Sequence, residues 1–118
     1  MITLRRYEPG EVIIRENDFG ETAYVIGQGQ VEVTKELDGQ KVHLAYLGVG
    51  ETFGEMGMID EKPRSATVTA VAATVVNEIQ RDEFFNSLQT DPKVALTLLK
   101  ILFERLREAD ARILQLQK

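Results

Sequence analysis

A chain of 118 residues, 43% hydrophobic and 28% charged, has enough apolar material for one hydrophobic core and too little for two. Its formal charge of −5, with no lysine- or arginine-rich block, argues against nucleic-acid binding by the chain itself, because such binding draws on clustered cations that release counterions. With no cysteine there are no disulfides and no thiolate chemistry; no apolar run is long enough to span a membrane, the start lacks a secretory apolar stretch, and a cytoplasmic location is expected.

The first two-thirds reads as β structure. The stretches 11–14 (EVII) and 22–26 (TAYVI) are short strand candidates on either side of the turn-rich ENDFGE. Residues 31–47 hold two alternating runs around Asp38-Gly39, the dipeptide that best suits a type I′ hairpin turn. Val31, Val33 and Leu37 fit one face of the first run, and Val42 and Leu44 one face of the second. His43 alternates with those two, so it is expected to face solvent; with one histidine and no cysteine, no transition-metal site is expected. Two more strands are expected at 65–71 and 74–79. Glycines at 10, 20, 27, 29, 39, 48, 50, 54 and 57 punctuate the region, as many short antiparallel strands require. The pattern predicts a sandwich, jelly roll or roll-like barrel over about 4–80.

The remainder, about 82–118, reads as helix. Asp82 is placed to cap a short helix, DEFFNSLQ, and Asp91-Pro92 is a second start: an N-cap followed by proline at the first helical position. From there to Lys118 neither glycine nor proline interrupts, which predicts one long helix. Ala95, Leu99, Leu102, Leu106, Ala109, Ile113 and Leu116 alternate steps of four and three, a heptad seam. Leu96, Leu98, Ile101 and Phe103 widen the apolar stripe in the first half only. The first half is therefore expected to pack on the β body, and the second half to pair with another copy through the seam residues Leu99, Leu102, Leu106, Ile113 and Leu116. In a parallel pair Arg105, at a g position, would face Asp110 of the partner subunit, at an e position.

The stretch 50–68, GETFGEMGMIDEKPRSATV, carries the chemistry. Gly54 and Gly57 bracket Glu55 and Met56, which suggests a single helical turn with backbone N–H groups turned toward an anion. Arg64 and Ser65 return just before a strand, and arginine suits a two-pronged grip on phosphate. A carboxylate nine residues earlier would repel a plain phosphate. Either Glu55 and Arg64 pair with each other and close a surface loop, or the ligand offers hydroxyl groups beside its phosphate, as a ribose phosphate does.

At these residues, FGEMGMI and PRSATV, the chain resembles the cyclic nucleotide-binding domain family, of the catabolite-activator and kinase regulatory-subunit type. YEPGEVIIRENDFGETAYVIGQGQVEV looks like the family's opening strands, and the resemblance runs from about Leu4 into the long helix. It implies a β-roll of jelly-roll type followed by a short and a long helix, binding cAMP or, less readily, cGMP. On that resemblance Glu55 would hold the ribose 2′-hydroxyl, and Arg64 and the Ser65 hydroxyl the cyclic phosphate. Backbone N–H groups around Gly54, Met56, Gly57 and Ala66 would complete the cradle. Where the catabolite-activator branch contacts the base with a polar residue across the dimer, this chain has Ala109, followed by Asp110; with Arg105 these are the candidates for the base and lid. That branch continues into a DNA-reading domain, whereas this sequence ends at Lys118, so a regulatory module or a piece of a transcription regulator, channel or kinase is expected. Ile79, Phe84 and Leu102 are expected among the contacts that move with the long helix. No catalytic residues, metal or cofactor are expected. The rival readings are a structural or dimerisation module with a degenerate pocket, and a cupin-like enzyme, for which one histidine is too few.

Overall fold

The alternating runs assemble into two four-stranded antiparallel sheets in a computed structural model that describes residues 3–60, 62–93, 95–97, 99–100, 103–104 and 107, with 59 and 60 as backbone alone. The strands are β1 (Thr3–Tyr7), β2 (Val12–Ile14), β3 (Ala23–Gln28), β4 (Val31–Leu37), β5 (Gln40–Leu47), β6 (Thr52–Phe53), β7 (Thr67–Ala70) and β8 (Thr74–Ile79). One sheet has the order β1-β8-β3-β6 and the other β2-β7-β4-β5. Helix α1 (Glu55–Asp60) separates β6 from β7, and α2 (Arg81–Thr90) follows β8. The chain divides into two units, Met1–Glu83 and Phe84–Lys118. The first is a jelly-roll-type β body.

Each sheet contributes one apolar face to the core of that body. Tyr24, Ile26, Phe53 and Val76 come from the first sheet, Val31 and Val68 from the second, with Tyr7, Ile13, Ile14, Val33 and Leu47 packed around them. Alternation decides which residues enter: in β7, Val68 and Ala70 are buried while Thr67 and Thr69 are only half-buried. Tyr24 and Phe53, paired across β3 and β6, stack with ring centroids 5.0 Å apart. Thr74 is fully buried; its hydroxyl lies 2.8 Å from the Ala72 carbonyl and 3.2 Å from that of Gln30, so its single proton can serve either.

The expected hairpin is present. Leu37 pairs with Gln40 across the turn, and both central residues have positive φ, 52° at Asp38 and 77° at Gly39, as a type I′ turn requires. Three expectations need correction. Leu37, grouped with Val31 and Val33, and Leu44, grouped with Val42, are exposed: the β4–β5 register slips at Val33/Thr34, leaving Leu44 as the extra residue of a bulge in β5, Leu37 lies beside the turn, and Thr34 is buried. Gly27 lies within β3, at its own register shift, rather than between strands. Asp82 sits inside the first turn of α2, not ahead of it, because the helix already begins at Arg81.

In the second unit Asp91 caps as expected: its Oδ1 accepts from the Lys93 N–H at 3.0 Å, with Pro92 at the first helical position. Every described residue from 92 onward is helical. Leu96, Leu99 and Phe103 are exposed. The other seam residues, Leu102, Leu106, Ile113 and Leu116, lie outside the described residues.

Candidate functional site

Pairing of Tyr24 with Phe53 brings the end of β6 alongside the start of β3, which sets Gly54 against Thr22. Gly54 has φ +81°, and a Cβ there would lie 2.9 Å from the Thr22 carbonyl oxygen and 3.1 Å from Arg64 Nη1. The chain turns there into α1, whose first residue is Glu55, only 2% exposed. Met56 points outward and is exposed, Gly57 is buried, and Met58 enters the interior. The Met58 carbonyl in turn accepts from Arg81 Nε at 3.1 Å.

Arg64 is 7% exposed, an unusual burial for a permanent cation. Its Nη1 donates to the Gly54 carbonyl at 2.7 Å and its Nη2 to the Thr22 carbonyl at 2.8 Å. The described ion pairs, Arg5–Glu78, Arg6–Glu8, Lys35–Glu16 and His43–Glu32, do not include it. The Arg64 guanidinium is thus held by main-chain carbonyls at the end of β6 and ahead of β3. Two of the five guanidinium N–H groups are used by these carbonyls.

Three glycines make room for this cation. Beyond Gly54, a Cβ at Gly57 would lie 2.8 Å from Nη1, and one at Gly20 would lie 2.7 Å from Nη2 and 2.9 Å from Nε. Any side chain at these positions would press on the guanidinium. Gly54 and Gly57 belong to the stretch singled out from sequence; Gly20 was read only as a turn. It and Thr22 reach the site from a segment some forty residues away, and no local pattern announces that contact.

The Arg64 backbone is fixed as firmly as its side chain. Its N–H donates to the Asp18 carbonyl and its carbonyl accepts from the Asn17 N–H, both at 2.8 Å. Asn17 takes a positive φ of 73° to make this turn. Ser65 is exposed and Ala66 half-buried, so both follow Arg64 to the surface. Glu55, Arg64 and the glycines are therefore gathered in one place: a buried carboxylate and a buried cation, with the guanidinium lying against Gly20, Gly54 and Gly57. Arg105, Ala109 and Asp110 lie outside the described residues.

The family profile described as cyclic nucleotide-binding domain matches residues 4–91. The cyclic AMP receptor protein of Thermus thermophilus is 38% identical over 110 residues, covering 92% of this chain and 51% of that protein. The cAMP-dependent protein kinase regulatory subunit of Dictyostelium discoideum is 37% identical over 82 residues, covering 66% of this chain and 25% of that one. Among solved structures, the Thermus thermophilus catabolite activator protein superposes with a TM-score of 0.88 at 37% identity, over 98% of this chain and 55% of that chain. The chain thus spans about half the length, or less, of the curated relatives it matches.

Proposed function

This chain belongs to the cyclic nucleotide-binding domain family, and within it we propose a non-enzymatic, cytoplasmic regulatory module that takes cAMP in preference to cGMP. The buried Arg64 guanidinium carries the reading. A cation removed from water, held by carbonyl dipoles and walled by glycines, gains strongly from a compact anion that can reach its remaining N–H groups. Phosphate is that anion. The cyclic phosphate lies on Arg64 and the Ser65 hydroxyl, with N–H groups of Gly54, Met56, Gly57 and Ala66 around it. The Glu55 carboxylate accepts from the ribose 2′-hydroxyl, a donor that a plain phosphate lacks. Arg105, Ala109 and Asp110 meet the base.

The output is a shift between two positions of the long helix. Ligand favours one position by its differential affinity for it, and the helix seam joins two copies into a dimer. Spin-label distances between the β body and residue 107, with and without cAMP, read that shift directly; unchanged distances remove the switch from the proposal.

Calorimetry with cAMP and cGMP tests the ligand. The wild-type chain should bind cAMP more tightly. Arg64→Ala should lose about 2–5 kcal/mol, the usual cost of removing one partner of a buried hydrogen-bonded charge pair. Glu55→Gln keeps the shape of the side chain and should lose about 1.5–3 kcal/mol, as for a hydrogen bond to a charged group. Absence of binding by the wild-type chain, or binding indifferent to both substitutions, rejects the assignment.

A further inference from the structure

We propose that Lys35, on β4, is a positioning residue for the phosphate cradle, acting through the Ser65–Ala66 peptide; the inference rests on the ligand reading given above. Lys35 Nζ donates to the Ser65 carbonyl at 3.0 Å, across thirty residues of sequence. A peptide unit is planar and trans, so its C=O and N–H leave opposite edges. The Ser65 carbonyl and the Ala66 N–H belong to one such unit. Drawing that carbonyl toward β4 therefore aims the Ala66 N–H away from β4. The β4–β7 ladder ends with the Thr34–Thr67 pair, so Ala66 lies just beyond it and strand pairing does not set this peptide's orientation. Lys35 does. Its charge also polarises the carbonyl, which strengthens the N–H at the other edge as a donor.

Lys35 is itself held. Glu16 Oε2 lies 3.8 Å from its Nζ, while Oε1 of the same carboxylate accepts from the Glu36 N–H at 2.9 Å. The Glu16 N–H donates to Thr67 Oγ1 at 3.0 Å. Glu16 thus bridges β4 and the start of β7, and places the ammonium opposite Ser65. With Asn17 and Asp18 holding the Arg64 backbone on the other side, residues 64–67 are fixed from two directions. Arg64 meets the anion with its side chain; Lys35 stands behind the neighbouring peptide and meets only the protein.

Three chains, wild type, Lys35→Met and Lys35→Arg, separate this role from a merely structural one. Methionine keeps an apolar stem and removes the donor; arginine restores a cationic donor of similar reach. In spectra of the free proteins the Ala66 amide resonance should move in Lys35→Met and return toward its wild-type position in Lys35→Arg. By calorimetry Lys35→Met should bind cAMP about three- to tenfold more weakly, the range expected for one partly exposed charge-assisted hydrogen bond, and Lys35→Arg should bind within about twofold of wild type. An unmoved Ala66 resonance, an unchanged affinity in Lys35→Met, or a loss that arginine does not restore overturns the proposal. Wild-type protein that takes no cyclic nucleotide overturns the ligand reading and this inference with it, and is recognised without any variant.

Discussion

At Gly57 helix propensity and packing oppose each other. Replacing a helical glycine by alanine gains about 1 kcal/mol from propensity alone. Here the added Cβ would stand 2.6 Å from the Gly20 carbonyl oxygen and 2.8 Å from Arg64 Nη1, and the first of these is backbone. Overpacking of that kind costs about 1–3 kcal/mol. Gly57→Ala should therefore be destabilised by up to about 2 kcal/mol in urea and should bind cAMP more weakly, because the guanidinium is pushed from its two carbonyls. A variant that is more stable and binds normally would mean that the glycines do not hold the cation. The residues easiest to find in the sequence were Glu55 and Arg64, because an acid and a base so close together next to glycine-bounded turns demand a chemical reason. Gly20, Thr22 and Lys35 were not legible as parts of the site. Each reaches it through folding of distant segments, and glycine, threonine and lysine are ordinary residues where they stand in the sequence.

Elements whose signal is local were legible in the sequence, and those whose signal is shared with the rest of the fold were not. The β4–β5 hairpin, β7 and β8 follow from alternation and turn chemistry. By contrast β1 presents Leu4, Arg5 and Arg6 to solvent, so no alternating apolar face marks it, and β6 is two residues long. The bulge at Leu44 breaks the alternation within β5, while Leu37, on β4, pairs with Gln40 beside the turn and is exposed. The start of the C-terminal helix was legible because its cap is a local hydrogen bond. Asp91 satisfies the Lys93 N–H while its own N–H donates to the Ser87 carbonyl at 2.9 Å, closing α2 and opening the next helix at one residue. Asp91→Ala removes the side-chain acceptor alone and should cost about 1 kcal/mol of helix stability. The expected result is a lower helical signal in circular dichroism on heating, with Asp91→Ser close to wild type. Equal melting of all three proteins would leave the cap without energetic weight.

Global stability reports on the interior of the β body through two phenols. Burial pushes both Tyr24 and Tyr7 above the ordinary tyrosine value of 10.0. For Tyr24 the neighbouring Tyr7 and the Glu78 carboxylate add to that rise, while Arg64 and Arg5 oppose it. For Tyr7, Glu78 adds and Arg5 opposes. An unfolded chain releases these protons near pH 10, whereas the native body retains them to higher pH. In that interval the native state binds more protons than the unfolded state, so stability falls as pH rises. Below about pH 10 both states are protonated and the contribution is complete. Other groups titrate there too, so the informative quantity is the difference between wild type and Tyr24→Phe. Phenylalanine preserves the ring that stacks on Phe53 and carries no ionisable group. In urea denaturation at pH 8–9 that difference should be constant. Above pH 10 it should move steadily in favour of Tyr24→Phe, because only the wild-type unfolded chain gains by ionising at that position. Curves that stay parallel to pH 11 would place the Tyr24 phenol in contact with water. Tyr7 and Tyr24 influence each other, so the double substitution should shift the curve by an amount different from the sum of the two single ones.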